Sequence, residues 1–130
     1  MRPLSLRSSA RWAALLLTLA AFLGGALPVS AVGVPYAVGD VFAADSNGII
    51  KHFSPTGTLR NTLNTTSGSA EETGMCFGES GNLRSTNFTA NNMTLFDNAG
   101  NVLTHPWGSG FSSSPESCVL NAAGDIFVGQ

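Results

Sequence analysis

Charge is scarce in this chain: Asp, Glu, Lys and Arg make up only 11% of its 130 residues. Beyond residue 31 the basic residues are Lys51, Arg60 and Arg84. They stand against Asp40, Asp45, Glu71, Glu72, Glu79, Asp97, Glu116 and Asp125, a balance of −5. With no basic stripe to meet phosphate, the mature part excludes nucleic acid and an anionic membrane surface as partners. Cysteine is almost as rare. Cys76 and Cys118 lack a CxxC spacing or a clustered histidine, which excludes the usual zinc and redox motifs. Histidine is confined to His52 and His105. Nucleophile elbow, P-loop and metal-binding His cluster are all missing. Outside the first thirty residues no segment holds apolar residues at helical spacing for three turns, which excludes a helical fold.

What is present begins with a leader. Arg2, Arg7 and Arg11 precede the apolar run "WAALLLTLAAFLGGAL" (Trp12 to Leu27), and "PVSA" (Pro28 to Ala31) supplies small residues. This is the layout of a secretory signal peptide, a helix over 1–31 cleaved after Ala31. The run falls short of the roughly 20 residues that span a bilayer. Gly24, Gly25 and Pro28 also break its end. The expected location is therefore secreted, periplasmic or cell-surface, with residues 32–130 outside the membrane. In such an oxidising compartment an even pair of cysteines is able to bond.

The mature part repeats itself. "GDVFAADSNGIIKHFSPTGTL" starts at Gly39, "GNLRSTNFTANNMTLFDNAGNVL" at Gly81, and "GDIFVGQ" at Gly124, intervals of 42 and 43 residues. Phe53 stands four before Gly57, as Phe96 does before Gly100, and "GMCFGESGN" (Gly74 to Asn82) lies over "SCVLNAAGD" (Ser117 to Asp125). Each unit holds four short stretches of strand character separated by Gly- and Asn-rich turns. In the clearer pass these are Met75–Phe77, Leu83–Asn87, Met93–Phe96 and Val102–Leu103. Gly and Asn accept the positive φ of tight hairpins. The fold class is all-β. Four antiparallel strands recurring every forty-odd residues imply β-propeller blades, about 39–80 and 81–123, with a third started at 124–130. "VGVPYAV" (Val32 to Val38) is expected to add a first strand ahead of Gly39. A small β-sandwich is the alternative, although it needs no such period. Two blades cannot close a ring. The chain is thus expected to be an incomplete propeller, a fragment needing further blades or other copies, with Phe42, Phe53, Phe88 and Phe96 on uncovered faces.

These residues carry a family likeness. "GMCFGESGNL…MTLFDNAGNVL" resembles the NHL-type repeat and the related senescence-marker/gluconolactonase-like and streptogramin-lyase-like propellers. Gly81-Asn82, Gly124-Asp125, Phe53-Ser54…Gly57 and Phe96-Asp97…Gly100 fill the family's turn places, while Ser85-Thr86-Asn87 departs from it. The resemblance implies six blades as the commonest ring. It also implies that Cys76 and Cys118 sit on innermost strands of adjacent blades. A cross-blade disulfide is then feasible if their Cα atoms fall within about 4.4–6.8 Å, and two buried small apolar side chains are the other possibility.

Trp107 and Phe111 flank a Gly-Ser-Gly loop and offer rings to a sugar or peptide, unless they fold back on the blade edge. In lactonase-like relatives, acidic and amide groups at the axial mouth hold a divalent cation such as calcium; Glu72, Glu116 and Asn121 are the nearest equivalents, or simply solvated turn residues. His52, beside Lys51, is expected as half of an outward polar pair, and His105 as part of a turn. Asn64, Asn87 and Asn92 open glycosylation sequons, a pattern common by chance in so Asn- and Thr-rich a chain. The reading is an exported propeller module that binds a protein or glycan ligand through loop faces, with no metal or other cofactor. The alternative is an axial-site lactonase or lyase whose catalytic residues lie largely in missing blades. The balance leans away from an enzyme, because nothing visible is charged toward an axis.

Overall fold

The structure, a computed structural model, describes residues 33–130; the expected signal-peptide helix over 1–31 falls outside the described residues. The described residues are all-β, with a single 3-10 turn at Glu79–Gly81. The strands are β1 (Val41–Ala44), β2 (Ile49–Phe53), β3 (Leu59–Asn64), β4 (Glu72–Phe77), β5 (Leu83–Asn87), β6 (Asn92–Phe96), β7 (Val102–Trp107), β8 (Ser117–Leu120) and β9 (Ile126–Gly129). They form three antiparallel sheets in simple chain order: β1-β2-β3, β4-β5-β6-β7 and β8-β9. The sequence windows 39–80 and 81–123 are offset from the sheets by one strand, since each runs on into the strand that opens the next sheet.

Residues 33–38 form no strand, contrary to the expectation for Val32 to Val38. Pro35 has no N–H to give a ladder, and the Tyr36 N–H is spent elsewhere, on the Asn98 carbonyl in the turn between β6 and β7, at 2.9 Å. Its ring packs edge-on against Phe42 and Phe77.

Strand alternation decides which side chains face which sheet. Ile50 pairs with Leu63 on the first sheet, and Leu83 with Phe96 on the second. These four meet as one fully covered cluster, with Tyr36, Phe42 and Met75 packed against it. Burying each such large side chain contributes roughly 1.5–3 kcal/mol. The opposite face of the second sheet receives the third. Gly74 lies so close to β8 that a Cβ there would stand 2.6 Å from the Glu116 carbonyl oxygen and from the Ser117 Cα. With both faces covered, β5 is buried almost throughout, at Leu83, Ser85, Thr86 and Asn87.

The uncovered apolar residues differ from the expected four phenylalanines. Phe96 is fully buried, Phe42 joins the core cluster, and Phe53 and Phe88 are half-buried. Val41, Leu59, Val119 and Phe127 are exposed instead. The reason is register: the opening residue of β1 faces away from the second sheet, while Phe42, one step on, faces into it.

Candidate functional site

The register gathers one set of connections at a single end of the second sheet. Glu72 pairs with Asn87, Asn87 with Asn92, and Met93 with Trp107. The β3–β4 loop, the β5–β6 turn and the segment after β7 therefore share that end. Between the first two lies an open cleft of about 210 Å³, lined by Ser67, Ser69, Ala70, Thr89 and Ala90. Its walls are tied together: the Glu71 N–H donates to Thr89 Oγ1 (3.1 Å) and the Phe88 N–H to the Glu71 carbonyl (2.7 Å). Gly48 N–H donates to the Ala70 carbonyl at 2.9 Å, which anchors the same loop to the first sheet. Gly48 has no substitute there, since a Cβ would stand 2.2 Å from the Gly68 carbonyl oxygen at a φ of +70°.

Behind the cleft stands a polar network inside the protein. Glu72 is only 6% exposed. Its Oε1 accepts hydrogen bonds from Thr65 Oγ1 and Ser67 Oγ, both at 3.1 Å, while Oε2 is buried without a partner. Burial pushes the Glu72 carboxyl above the usual carboxylate range, against the two hydroxyl donors. Thr94 Oγ1 donates to the Thr65 carbonyl at 2.8 Å. Its single proton is then used, so Thr94 accepts from Asn87 Nδ2 (3.0 Å), and His105 Nδ1 lies 2.8 Å from the same oxygen. His105 is thereby fixed as a neighbour of the network.

The other sequence candidates are scattered. Trp107 closes β7, half-buried, with the Arg84 guanidinium carbon 5.4 Å from its ring centroid. Arg84 Nε and Nη1 are buried with no hydrogen-bond partner. Phe111 folds back over Gly108, whose Cβ position lies 3.1 Å from the Phe111 ring. Cys76 and Cys118 form a disulfide between the second and third sheets, Cα–Cα 5.6 Å. Glu116 is exposed, and its N–H donates to the Gly129 carbonyl at 2.8 Å. Asn121 caps its own turn, accepting from Ala123 and Asp125 N–H at 2.9 Å. Glu72, Glu116 and Asn121 do not converge, and among the described residues no three His, Cys, Asp or Glu side chains gather as a metal would require. Asn87 is fully buried, so its sequon faces the interior.

His52 corrects the sequence reading. Lys51 faces outward and reaches Asp45 at 3.7 Å, but alternation turns His52 inward, where it is fully buried. It stacks on Phe42 (centroids 4.6 Å apart, planes at 4°), and its Nε2 lies 2.6 Å from Asp40 Oδ2. Arg60 Nη1 donates to both Asp40 oxygens, at 2.9 and 3.0 Å. Sequence reasoning also missed the hydroxyl cleft. Its only signal is the run "NTTSGSA" (Asn64 to Ala70), a composition that any solvated loop shares.

No protein-family model and no curated protein matches this sequence. The chemistry must be taken from the geometry. The loop end offers hydroxyl donors and acceptors around a cleft with no charged residue in its lining. Such groups hydrogen-bond.

Proposed function

We propose that this chain is an exported module of β-propeller type, its sheets being blades, and that it binds a glycan at the loop end. The blade reading is supported by the repeat and by successive sheets stacked face to face. The likeness to NHL-type and gluconolactonase-like repeats agrees with both. Export is supported by the leader pattern, and a disulfide is the form cysteines keep in an oxidising compartment.

One observation carries the ligand class: the cleft lined by Ser67, Ser69 and Thr89 is polar without being charged. Hydroxyls that both donate and accept match the hydroxyls of a neutral sugar. A protein ligand would draw on larger apolar area than this cleft provides.

The test is binding of the full chain, expressed by secretion, to an array of neutral oligosaccharides, followed by calorimetry on the best ligand. Ser69→Ala should weaken binding about fivefold, the worth of one neutral hydrogen bond, with melting temperature unchanged, whereas Thr89→Ala also removes the acceptor of the Glu71 N–H and should lower both affinity and melting temperature. Retention of no oligosaccharide by the wild-type chain, or equal affinity in both variants, refutes the glycan assignment.

A further inference from the structure

Glu72 is buried in the joint between the first and second sheets, and the proposed binding chemistry makes no use of it. Its surroundings suit a carboxylic acid better than a carboxylate. Thr65 and Ser67 have one hydroxyl proton each, against three contacts. Both reach Glu72 Oε1 at 3.1 Å, and Thr65 also reaches the Gly48 carbonyl at 3.0 Å. Oε2 has no donor at all. An ionised carboxylate buried with one oxygen bare is far costlier than a neutral acid in the same place. No opposite charge offsets it: among the described residues no cation pairs with Glu72. The groups around it are the Gly48 backbone from the β1–β2 turn, Thr65 and Ser67 after β3, and Asn87 of β5, paired with it in register. His105 of β7 is the titratable group joined to this network, through Thr94 of β6. Glu71, next in the chain, is exposed.

The seal over this carboxyl is thin and strained. Ser67 lines the open cleft and touches Glu72 directly, so one side chain separates the acid from water. In the same loop Thr66, a β-branched residue, stands at a φ of 62°, in the left-handed region. Three backbone donors tie the loop down: Gly48 N–H to the Ala70 carbonyl, Glu71 N–H to Thr89 Oγ1 and Phe88 N–H to the Glu71 carbonyl. We infer that Glu72 is a pH-sensitive latch. While its carboxyl is neutral the β3–β4 loop lies shut over it; when it gives up its proton to solvent, the loop opens and the carboxylate reaches water. The latch works in the protein without ligand, so it does not depend on the glycan assignment.

The test is amide hydrogen exchange, followed residue by residue on the full secreted chain from acid to neutral pH and expressed as protection factors. In wild type the Gly48, Glu71 and Phe88 amides should lose protection as pH rises from the ordinary carboxylate range to the folded pKa of Glu72. The loss should be about tenfold per pH unit, as one proton released on opening requires, while the Leu83 amide in the core stays protected. Glu72→Gln cannot ionise and should show no such loss. Ser67→Ala, at a half-buried loop position, takes one donor from the carboxylate, so the loss should run on to higher pH. His105→Gln should match wild type. Should Glu72→Gln not fold, the Ser67→Ala and His105→Gln profiles still decide. A wild-type loop whose protection ignores pH, a Glu72→Gln loop that opens as wild type does, an unshifted loss in Ser67→Ala, or a loss abolished in His105→Gln would each overturn the inference.

Discussion

At Asp40 three donors converge: the Ala37 N–H at 2.8 Å, His52 Nε2 at 2.6 Å and Arg60 Nη1 at 2.9 Å. The His52 hydrogen bond, joined by those from Ala37 and Arg60, holds the Asp40 carboxyl below its ordinary range. A carboxylate whose pKa is depressed by folding contributes stability above its unfolded pKa and loses it as pH falls through the folded value. Asp40→Asn should therefore lower the melting temperature at neutral pH, with the gap to wild type closing in acid. Glu72 has the opposite sign. Its pKa is raised by burial, so its contribution is present in acid and lost as pH rises through the folded value. Glu72→Gln should melt above wild type at neutral pH and match it below the ordinary carboxylate range. A pH series of thermal melts on both variants checks the two signs together. Neither residue was legible as special in the sequence. Asp40 meets His52 only because β1 pairs with β2 in one register, and Glu72 is buried only because the β3–β4 loop folds over it.

At the scale of elements, the β2–β3, β6–β7 and β8–β9 hairpins share one turn. Gly57 N–H donates to the Ser54 carbonyl, Gly100 to Asp97 and Gly124 to Asn121, each glycine at positive φ. This is the three-residue loop with a left-handed glycine, and it was legible because such turns are local. Asp97 shows how a turn is reinforced. Burial disfavours its charge, but hydrogen bonds from the Asn101 side chain and from the Asn101, Ala99 and Gly100 N–H groups outweigh that and hold its pKa down. Gly57 and Gly100 look interchangeable in the sequence but differ in space. A Cβ at Gly57 meets nothing within 4 Å, whereas one at Gly100 stands 3.0 Å from Asn61 Nδ2 and 3.1 Å from Leu63. Gly57→Ala should cost about 1 kcal/mol, the left-handed backbone alone. Gly100→Ala should cost more, since the first sheet must also give way. Urea melts of the pair measure the difference.

The whole molecule is held by sheet-on-sheet contact and by one covalent tie. The Cys76–Cys118 disulfide spans 42 residues. Closing a loop of that size in the unfolded chain stabilises the folded state by about 4 kcal/mol. The double variant Cys76→Ser, Cys118→Ser should lose stability of that order, and its third sheet should exchange amide hydrogens first, because β8 is otherwise held to the second sheet by packing at Gly74 and one hydrogen bond, from Thr73 Oγ1 to the Pro115 carbonyl at 3.1 Å. Hydrogen exchange with and without reductant tests this on unaltered protein as well. Uniform exchange across all three sheets after reduction would contradict it.

The sequence by itself determined the β class, the forty-odd-residue period and the positions of the hairpin turns. Strand alternation and left-handed glycines are properties of a few neighbouring residues, so they survive without knowledge of the fold. The tertiary structure decided which face of each strand is covered, that His52 lies inside against Asp40, and that Ser67, Ser69 and Thr89 line one cleft. Those facts depend on residues from different strands and sheets brought together by register, and a one-residue slip in pairing would have reversed every one of them.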